Sequence, residues 1–276
     1  MRVGIIGTGN MGRILAEAMI EGKAVAPASM TITNRTKSKA LDIQAKFKDI
    51  TVTDQPGETA HMSDLIFICV KPHDIRPVLS EIDPHLTADK CVVSITSPIS
   101  TEQLEQAVSC SVARVIPSIT NRALAGVSLV TFGERCDNRW KDEIWNLFCS
   151  ISVPVEIEEN ITRVASDIVS CGPAFFSYLV QRFINAAEKE TEIDRETATK
   201  LASEMLIGLG ELLKKDIFTL PALQEKVCVK GGITGEGIKI LESELGDVFE
   251  HVFEATHEKF REDLKGIEKQ FPSQIN

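Results

Sequence analysis

The sequence lacks a basic tract, a long apolar run and any Cys-x-x-Cys pair, and each absence removes a class of function. Against 30 Lys and Arg stand 40 Asp and Glu, a formal charge of −10. Such a chain is poorly suited to tracking a phosphate backbone, so direct nucleic-acid binding is disfavoured. No apolar run approaches the roughly 20 residues needed to span a bilayer. The N-terminus opens into a strand-like segment rather than a charged and then apolar leader, so a cytoplasmic protein is expected. The seven cysteines, at 69, 91, 110, 136, 149, 171 and 228, are odd in number, which argues against a disulfide framework and a structural zinc site. Five histidines are scattered, and His251 and His257 do not have the i,i+4 spacing of helical metal ligands. No metal is expected. Repeats and low-complexity segments are also missing.

What is present is ordinary globular material: 276 residues, 43% hydrophobic and 25% charged, enough for one large or two modest cores. The first half alternates short apolar runs with amphipathic stretches, the pattern of a parallel sheet with crossover helices. Strands are expected at Arg2–Ile6, Met30–Thr33, Thr51–Thr53, Leu65–Val70, Cys91–Ile95, Ser111–Ile116, Val127–Thr131 and Val153–Ile157. The first helix carries Ile14, Leu15, Ala18 and Met19 on one face and should stop at Gly22. From about Glu158 helical periodicity takes over, so a domain boundary is expected between 157 and 158. One helix is expected from Ile161 to about Lys189, interrupted near Gly172-Pro173, and another after the N-cap Asp194. A last long helix is expected from about Gly235 to Lys269, with Ile238, Leu241, Leu245, Val248, Phe249, Val252, Phe253, Phe260 and Leu264 as its stripe. With no sheet to cover in that half, so broad a stripe suggests burial against a second subunit, the alternative being a self-contained bundle.

Gly7-Thr8-Gly9-Asn10-Met11-Gly12 follows the first strand and opens the first helix, the order required of a dinucleotide-binding loop. Gly7 permits the tight turn, Gly9 lets the backbone approach a pyrophosphate, and Gly12 lets helix and strand pack closely. The helix N-terminus offers unpaired N–H groups to the phosphates. At the end of the second strand, Thr33-Asn34-Arg35-Thr36-Lys37-Ser38-Lys39 contains no acid to bind ribose hydroxyls. Arg35 can pair with a 2′-phosphate, Lys37 and Lys39 add positive potential, and Asn34 and Thr36 can donate to phosphate oxygens, so NADP(H) is expected over NAD(H). The alternative is a solvated basic helix start. Val70-Lys71-Pro72 ends the fourth strand at the carboxyl edge of the sheet, where ligands lie. There Lys71 either faces the cofactor or is solvated, and His73 reads as a surface residue.

In these motifs the chain resembles the pyrroline-5-carboxylate reductase family. Residues 4–12, Val-Lys-Pro at 70–72, Val-Val-Ser-Ile at 92–95, Arg-Val-Ile-Pro at 114–117, Cys-Gly-Pro-Ala at 171–174 and Lys-Gly-Gly-Ile-Thr-Gly at 230–235 fall in family order. The resemblance implies a Rossmann-type α/β domain followed by an all-α domain that intertwines with a second subunit to form a homodimer or higher oligomer. It implies hydride transfer from NADPH to the C=N bond of a small cyclic imine carboxylate, giving L-proline. Cofactor contacts would come from Gly7 to Gly12, Asn34, Arg35, Lys37, Val70, Lys71, Pro72 and Ser118. Substrate contacts would come from Cys171, Lys230, Gly231, Gly232, Ile233 and Thr234. Thr234 would hydrogen-bond the imine nitrogen or the carboxylate, and it could also serve as the N-cap of its helix.

The chain departs from the family pattern on the substrate side. Val229, Lys230 and Ile233 stand where the family has Ser, Pro and Thr, Ser118 stands for Asn, and Thr96-Ser97-Pro98 for Ala-Ala-Gly. Each lost partner of a buried polar ligand costs about 1–3 kcal/mol. A second reading follows: a paralogue that binds NADP(H) but has left catalysis for a regulatory or scaffolding role, a divergent branch that resembles proteins encoded with bacterial late-competence genes. A β-hydroxyacid dehydrogenase fits less well, because Gly172–Ile184 lacks the lysine such enzymes carry.

Overall fold

Short, mostly apolar runs of two to six residues fold here into a single eight-stranded sheet, in a computed structural model that describes residues 1–271. The strands are β1 (Val3–Ile6), β2 (Met30–Thr33), β3 (Thr51–Val52), β4 (Leu65–Ile68), β5 (Cys91–Ser94), β6 (Ser111–Ile116), β7 (Val127–Phe132) and β8 (Val153–Glu156), each within two residues of its expected place. Their order is β3-β2-β1-β4-β5-β6-β7-β8. All neighbours are parallel except β6 and β7, which pair antiparallel with Ile116 opposite Leu129. Helices cover both faces, which is why β1, β2, β4, β5 and β6 are buried at every position and are mostly apolar, with Thr31, Thr33, Ser94, Ser111 and Arg114 as the polar exceptions.

The helices of this region are α1 (Asn10–Glu21), α2 (Lys37–Lys46), α3 (Pro56–Met62), α4 (Pro72–Ile82), α5 (Thr101–Ala107), α6 (Asn138–Cys149) and α7 (Thr162–Ser166). One face of the sheet packs Leu15, Met19, Ile43, Trp140 and Phe148 against Phe67, whose ring meets that of Phe148 edge-on at 6.0 Å. The other face packs Ile75, Leu79 and Leu104 against Ile66 and Val92, and the chain returns there late to bury Ile267 and Phe271. Each such side chain contributes about 1.5–3 kcal/mol of burial. β1 lies between β2 and β4, so the chain runs outward from it in both directions. The crevice at the carboxyl ends of β1 and β4 is the switch point where ligands of open α/β sheets bind.

The remaining helices are α8 (Gly172–Glu190), α9 (Arg195–Lys214), α10 (Leu220–Val227), α11 (Ile233–Glu244) and α12 (Val248–Glu268). Asp194 caps α9 by accepting from the Thr197 N–H, as its position predicts. Two expectations need correction. The chain stays helical through Gly172-Pro173: a wide turn of π type over Asp167–Cys171 leads directly into α8, whose second residue is Pro173, and the irregular hydrogen bonding of that turn takes up the missing proline donor. The last long helix is two, α11 and α12, separated at Gly246, whose φ of +46° is left-handed. The apolar stripe continues across the break and conceals it from a periodicity reading.

Two compact units result, cut differently from the expected 1–157 and 158–276. The first comprises Met1–Pro173 and the segment from Ala255 onward, because the end of α12 and Phe271 are packed on the sheet domain. The second is Ala174–Glu254. Residues 272–276 of the expected second domain lie outside those described. The second unit has a small core of Ile184, Ala198 and Ala202, and leaves Phe176, Phe183, Leu201, Met205, Ile207 and Ile240 exposed in the single chain. Among the described residues no helix is long and apolar enough to cross a membrane, and no group of three or more His, Cys, Asp or Glu is placed to hold a metal ion.

Candidate functional site

β1 delivers the chain into the switch-point crevice at Gly7, whose φ of +97° suits glycine and whose N–H donates to Thr33 O at 2.9 Å. A Cβ at Gly7 would lie 2.7 Å from the Cys69 carbonyl oxygen, and one at Gly12 only 1.9 Å from the Gly7 oxygen. These two glycines are required for the loop to close against β4 and α1. Gly9 differs: a Cβ there would meet nothing within 4 Å, and as N-cap of α1 it makes no side-chain hydrogen bond. The first-turn N–H groups, from Asn10 to Gly12, therefore have no capping side chain, and that turn carries no acid. Thr8 is 2% exposed and its Oγ1 has no hydrogen-bond partner. A buried hydroxyl left unpaired costs about 1–3 kcal/mol, and here it sits in the loop that borders an open cavity.

That cavity, of about 560 Å³, is walled by Gly7 and Gly9, by Asn34, Arg35, Thr36 and Lys39 after β2, by Asp54-Gln55-Pro56 after β3, and by Cys69-Val70-Lys71 after β4. Its volume lies in the range of small-ligand sites. Asn34 accepts the Thr8 N–H at Oδ1, 2.9 Å, and donates from Nδ2 to Thr36 O at 3.0 Å. It pins the glycine loop to the β2 turn, where the sequence suggests a phosphate donor. Arg35, Thr36 and Lys39 border the cavity, whereas Lys37 is paired with Asp54, Nζ to Oδ1 2.5 Å. The Cys69 thiol is pushed far up by burial and stays protonated, so it offers no thiolate. Lys71 is the exposed N-cap of α4, and Pro72 its first residue. Open space at Gly9, bare helix N–H groups and a basic β2 end together suit the diphosphate and 2′-phosphate of a dinucleotide.

Ser118 lies elsewhere. It is 2% exposed and caps the short turn Ile119–Ala123, and its Oγ donates to Val169 O at 2.8 Å while accepting from the Thr120 hydroxyl at 2.9 Å. With Ser170 Oγ donating to Pro117 O at 2.8 Å, it stitches the loop after β6 to the π turn. Cys171 ends that turn; its Sγ accepts from Arg163 Nη2 at 3.6 Å, and burial raises its thiol. Beside it the buried Asp167 is held by Arg163 at 2.8 Å and by the Thr256 hydroxyl at 2.8 Å.

Lys230 to Thr234 belong to the second unit. Gly231 has φ +75°, and Gly232 is the N-cap of α11 without a side-chain hydrogen bond, so the first N–H groups of α11 are uncapped by side chains. Thr234 is the second residue of α11 and does not occupy the cap; it is exposed, as are Lys230 and Ile233.

The roles of two residues escaped sequence reasoning. Asp54 reaches the cavity from the end of β3, some distance along the chain from the β2 end. Arg114, 2% exposed, bonds Glu159 at 2.7 Å and the Thr162 hydroxyl at 2.6 Å, tying β6 to the start of the helical segment. A lone cation in an otherwise apolar strand was its signal.

Comparison with known proteins agrees with this architecture. Residues 2–98 match the family described as NADP oxidoreductase, coenzyme F420-dependent, and residues 159–263 match pyrroline-5-carboxylate reductase dimerisation. ComE operon protein 4 of Bacillus subtilis is 58% identical over 271 residues, 98% of this chain and 99% of that protein. Pyrroline-5-carboxylate reductase 3 of the same organism is 30% identical over the same shares. In fold, the NADP-bound pyrroline carboxylate reductase of Plasmodium falciparum superposes with a TM-score of 0.81 at 24% identity, covering 97% of this chain and 98% of that one. Pyrroline-5-carboxylate reductase of Coxiella burnetii gives 0.84 at 24%, covering 95% and 97%. With both halves matched and a named reductase 30% identical along nearly its whole length, the chain belongs to the pyrroline-5-carboxylate reductase family.

Proposed function

We propose that this chain is an NADPH-dependent reductase of a small cyclic imine carboxylate, acting as its relatives' names describe on pyrroline-5-carboxylate to give L-proline. The observation that carries the reading is the switch-point cavity, where open space at Gly9 adjoins a β2 end bearing Arg35 and Lys39. Bound there, the cofactor supplies a hydride. The chain's part is binding and orientation: the first turn of α1 takes the diphosphate, Arg35 and Lys39 take the 2′-phosphate, and Val70 to Pro72 border the groove beyond. The uncapped start of α11 and Lys230 take the substrate carboxylate, with the Thr234 hydroxyl on the carboxylate or the imine nitrogen. In this reading residues 1–157 hold the cofactor, while 158–276 supply the substrate side. The exposed apolar faces of the second unit meet their counterparts in a homodimer.

The test is consumption of NADPH by the purified chain with pyrroline-5-carboxylate. Turnover above the enzyme-free rate supports the proposal, and none at any substrate concentration sinks it. One observation favours a second reading, catalytic weakening. Identity to ComE operon protein 4 is 58% but only 30% to a reductase of the same organism, and the α11 approach carries Val229, Lys230 and Ile233. That reading expects tight NADPH binding with little proline formed, and a rise in activity when Val229→Ser, Lys230→Pro, Ile233→Thr and Ser118→Asn are combined.

A further inference from the structure

The β2 end has no acid of its own, yet its cavity is not free of carboxylate. β3 pairs in parallel with β2, Thr31 opposite Thr51 and Ile32 opposite Val52, and the same register carried forward sets Asp54 beside Asn34. Asp54 borders the cavity together with Arg35, Thr36 and Lys39. It therefore stands where an acid that binds ribose hydroxyls is ordinarily supplied by β2 itself, and where it would oppose a 2′-phosphate. Lys37 and Lys39 are the first and third residues of α2, about 200° apart around the helix, so both cannot face one cavity. Lys39 borders it, and Lys37 turns to Asp54, with Nζ 2.5 Å from Oδ1.

We infer that Lys37 is a specificity residue that acts through Asp54, not a phosphate ligand. By pairing with the carboxylate that β3 sets beside Asn34 it keeps that end acceptable to a 2′-phosphate and denies NADH a hydroxyl acceptor. The first turn of α2 supports this, because it holds two lysines and no acid at the positive end of a helix dipole. Asp54 offsets one lysine and leaves the other to the ligand. The inference rests on the NADPH reading proposed above.

The experiment measures dissociation constants of NADPH and NADH by nucleotide fluorescence at low ionic strength. It uses the full chain and its Lys37→Ala, Asp54→Asn, double and Arg35→Ala variants, with melting temperatures recorded to confirm the fold. Lys37→Ala should weaken NADPH about tenfold while NADH is unchanged or tighter, a bias that shrinks as salt is added. The double variant should recover NADPH binding to within about threefold of Asp54→Asn alone, since removing the acid makes its mask unnecessary. A double variant as weak as Lys37→Ala would mean that Lys37 touches the phosphate itself, and it would overturn the inference, as would no effect of Lys37→Ala. If the unaltered chain and Arg35→Ala both bind the two nucleotides equally, the NADPH reading has failed, and this inference falls with it.

Discussion

Gly9 and Gly12 are three residues apart in one loop, yet their replacement by alanine should have opposite consequences. A Cβ at Gly12 would stand 1.9 Å from the Gly7 carbonyl oxygen, more than 1 Å inside any tolerated contact, and the obstacle is backbone. Relief requires α1 to move away from the turn, an overpacking cost of about 3 kcal/mol, or roughly 6–12 °C in melting temperature. Gly9 has φ −69° and ψ −159°, values open to alanine, and free space where the methyl would go. The small loss of alanine as an N-cap and the small gain from a less flexible unfolded chain are each below about 1 kcal/mol and oppose each other, so stability should hardly change. The methyl would, however, project where the diphosphate has to approach the backbone. NADPH affinity should fall at least about tenfold, near 1.4 kcal/mol. Thermal melts and NADPH titration of both variants decide the matter. A Gly9→Ala protein that binds NADPH like the parent, or a Gly12→Ala protein that melts like it, would refute the assignment of roles in the loop.

Three other perturbations follow from the packing and the charges. Burial works to raise the Glu17 carboxyl, but hydrogen bonds from Arg13 and Lys46 outweigh it and hold the group below its ordinary value. Its stabilising effect is therefore complete above about pH 4.3, the unfolded value, and is lost as pH falls through the folded one; the melting difference between parent and Glu17→Gln should be largest near neutrality and close in acid. Phe67→Ala and Phe148→Ala should each cost about 3–5 kcal/mol in urea unfolding, and their edge-on pair should show a coupling of about 1 kcal/mol in the double variant. Glu159→Ala strands the buried Arg114 guanidinium and should cost about 2 kcal/mol, most of it recovered when Arg114→Met is added, by the same measurement.

The parallel sheet was legible because both its faces are covered. A strand buried on both sides is mostly apolar, and loops at its ends carry glycine, proline or polar residues, so composition marks the boundaries closely. The glycine loop was legible for a related reason, since Gly7 and Gly12 are dictated by contacts within a single strand-turn-helix unit. What the sequence hid was non-local or geometrically minor. One left-handed residue at Gly246 divides a helix without disturbing the spacing of Leu245, Val248 and Phe249 around it. The partner of Lys37 is 17 positions away, and that of Ser118 is 51, distances at which no spacing rule applies. Asn34 has the right chemistry for a phosphate but spends it on Thr8 and Thr36, a choice that depends on the β2 turn folding back over the loop.

Charge in the cavity repeats the point at the level of the site. Its lining holds Arg35, Lys39 and Lys71 against Asp54, Asp74 and Glu81, so neither the cavity nor the chain, at −10, attracts an anion by net charge. Position does the selecting. Asp74, Pro77, Val78 and Glu81 recur at i, i+3, i+4 and i+7 on α4 and form one wall, acidic at its ends and apolar between. The opposite wall is the β2 turn with Arg35 and Lys39, and the floor is the glycine loop, which offers N–H groups and no formal charge. For the dinucleotide proposed above, that arrangement would set a 2′-phosphate against the cations of the β2 wall and the diphosphate against the N–H groups of the glycine floor. The neutral sum thus hides an uneven distribution, and on the inference drawn above the pairing of Lys37 with Asp54 leaves the β2 end to Arg35 and Lys39.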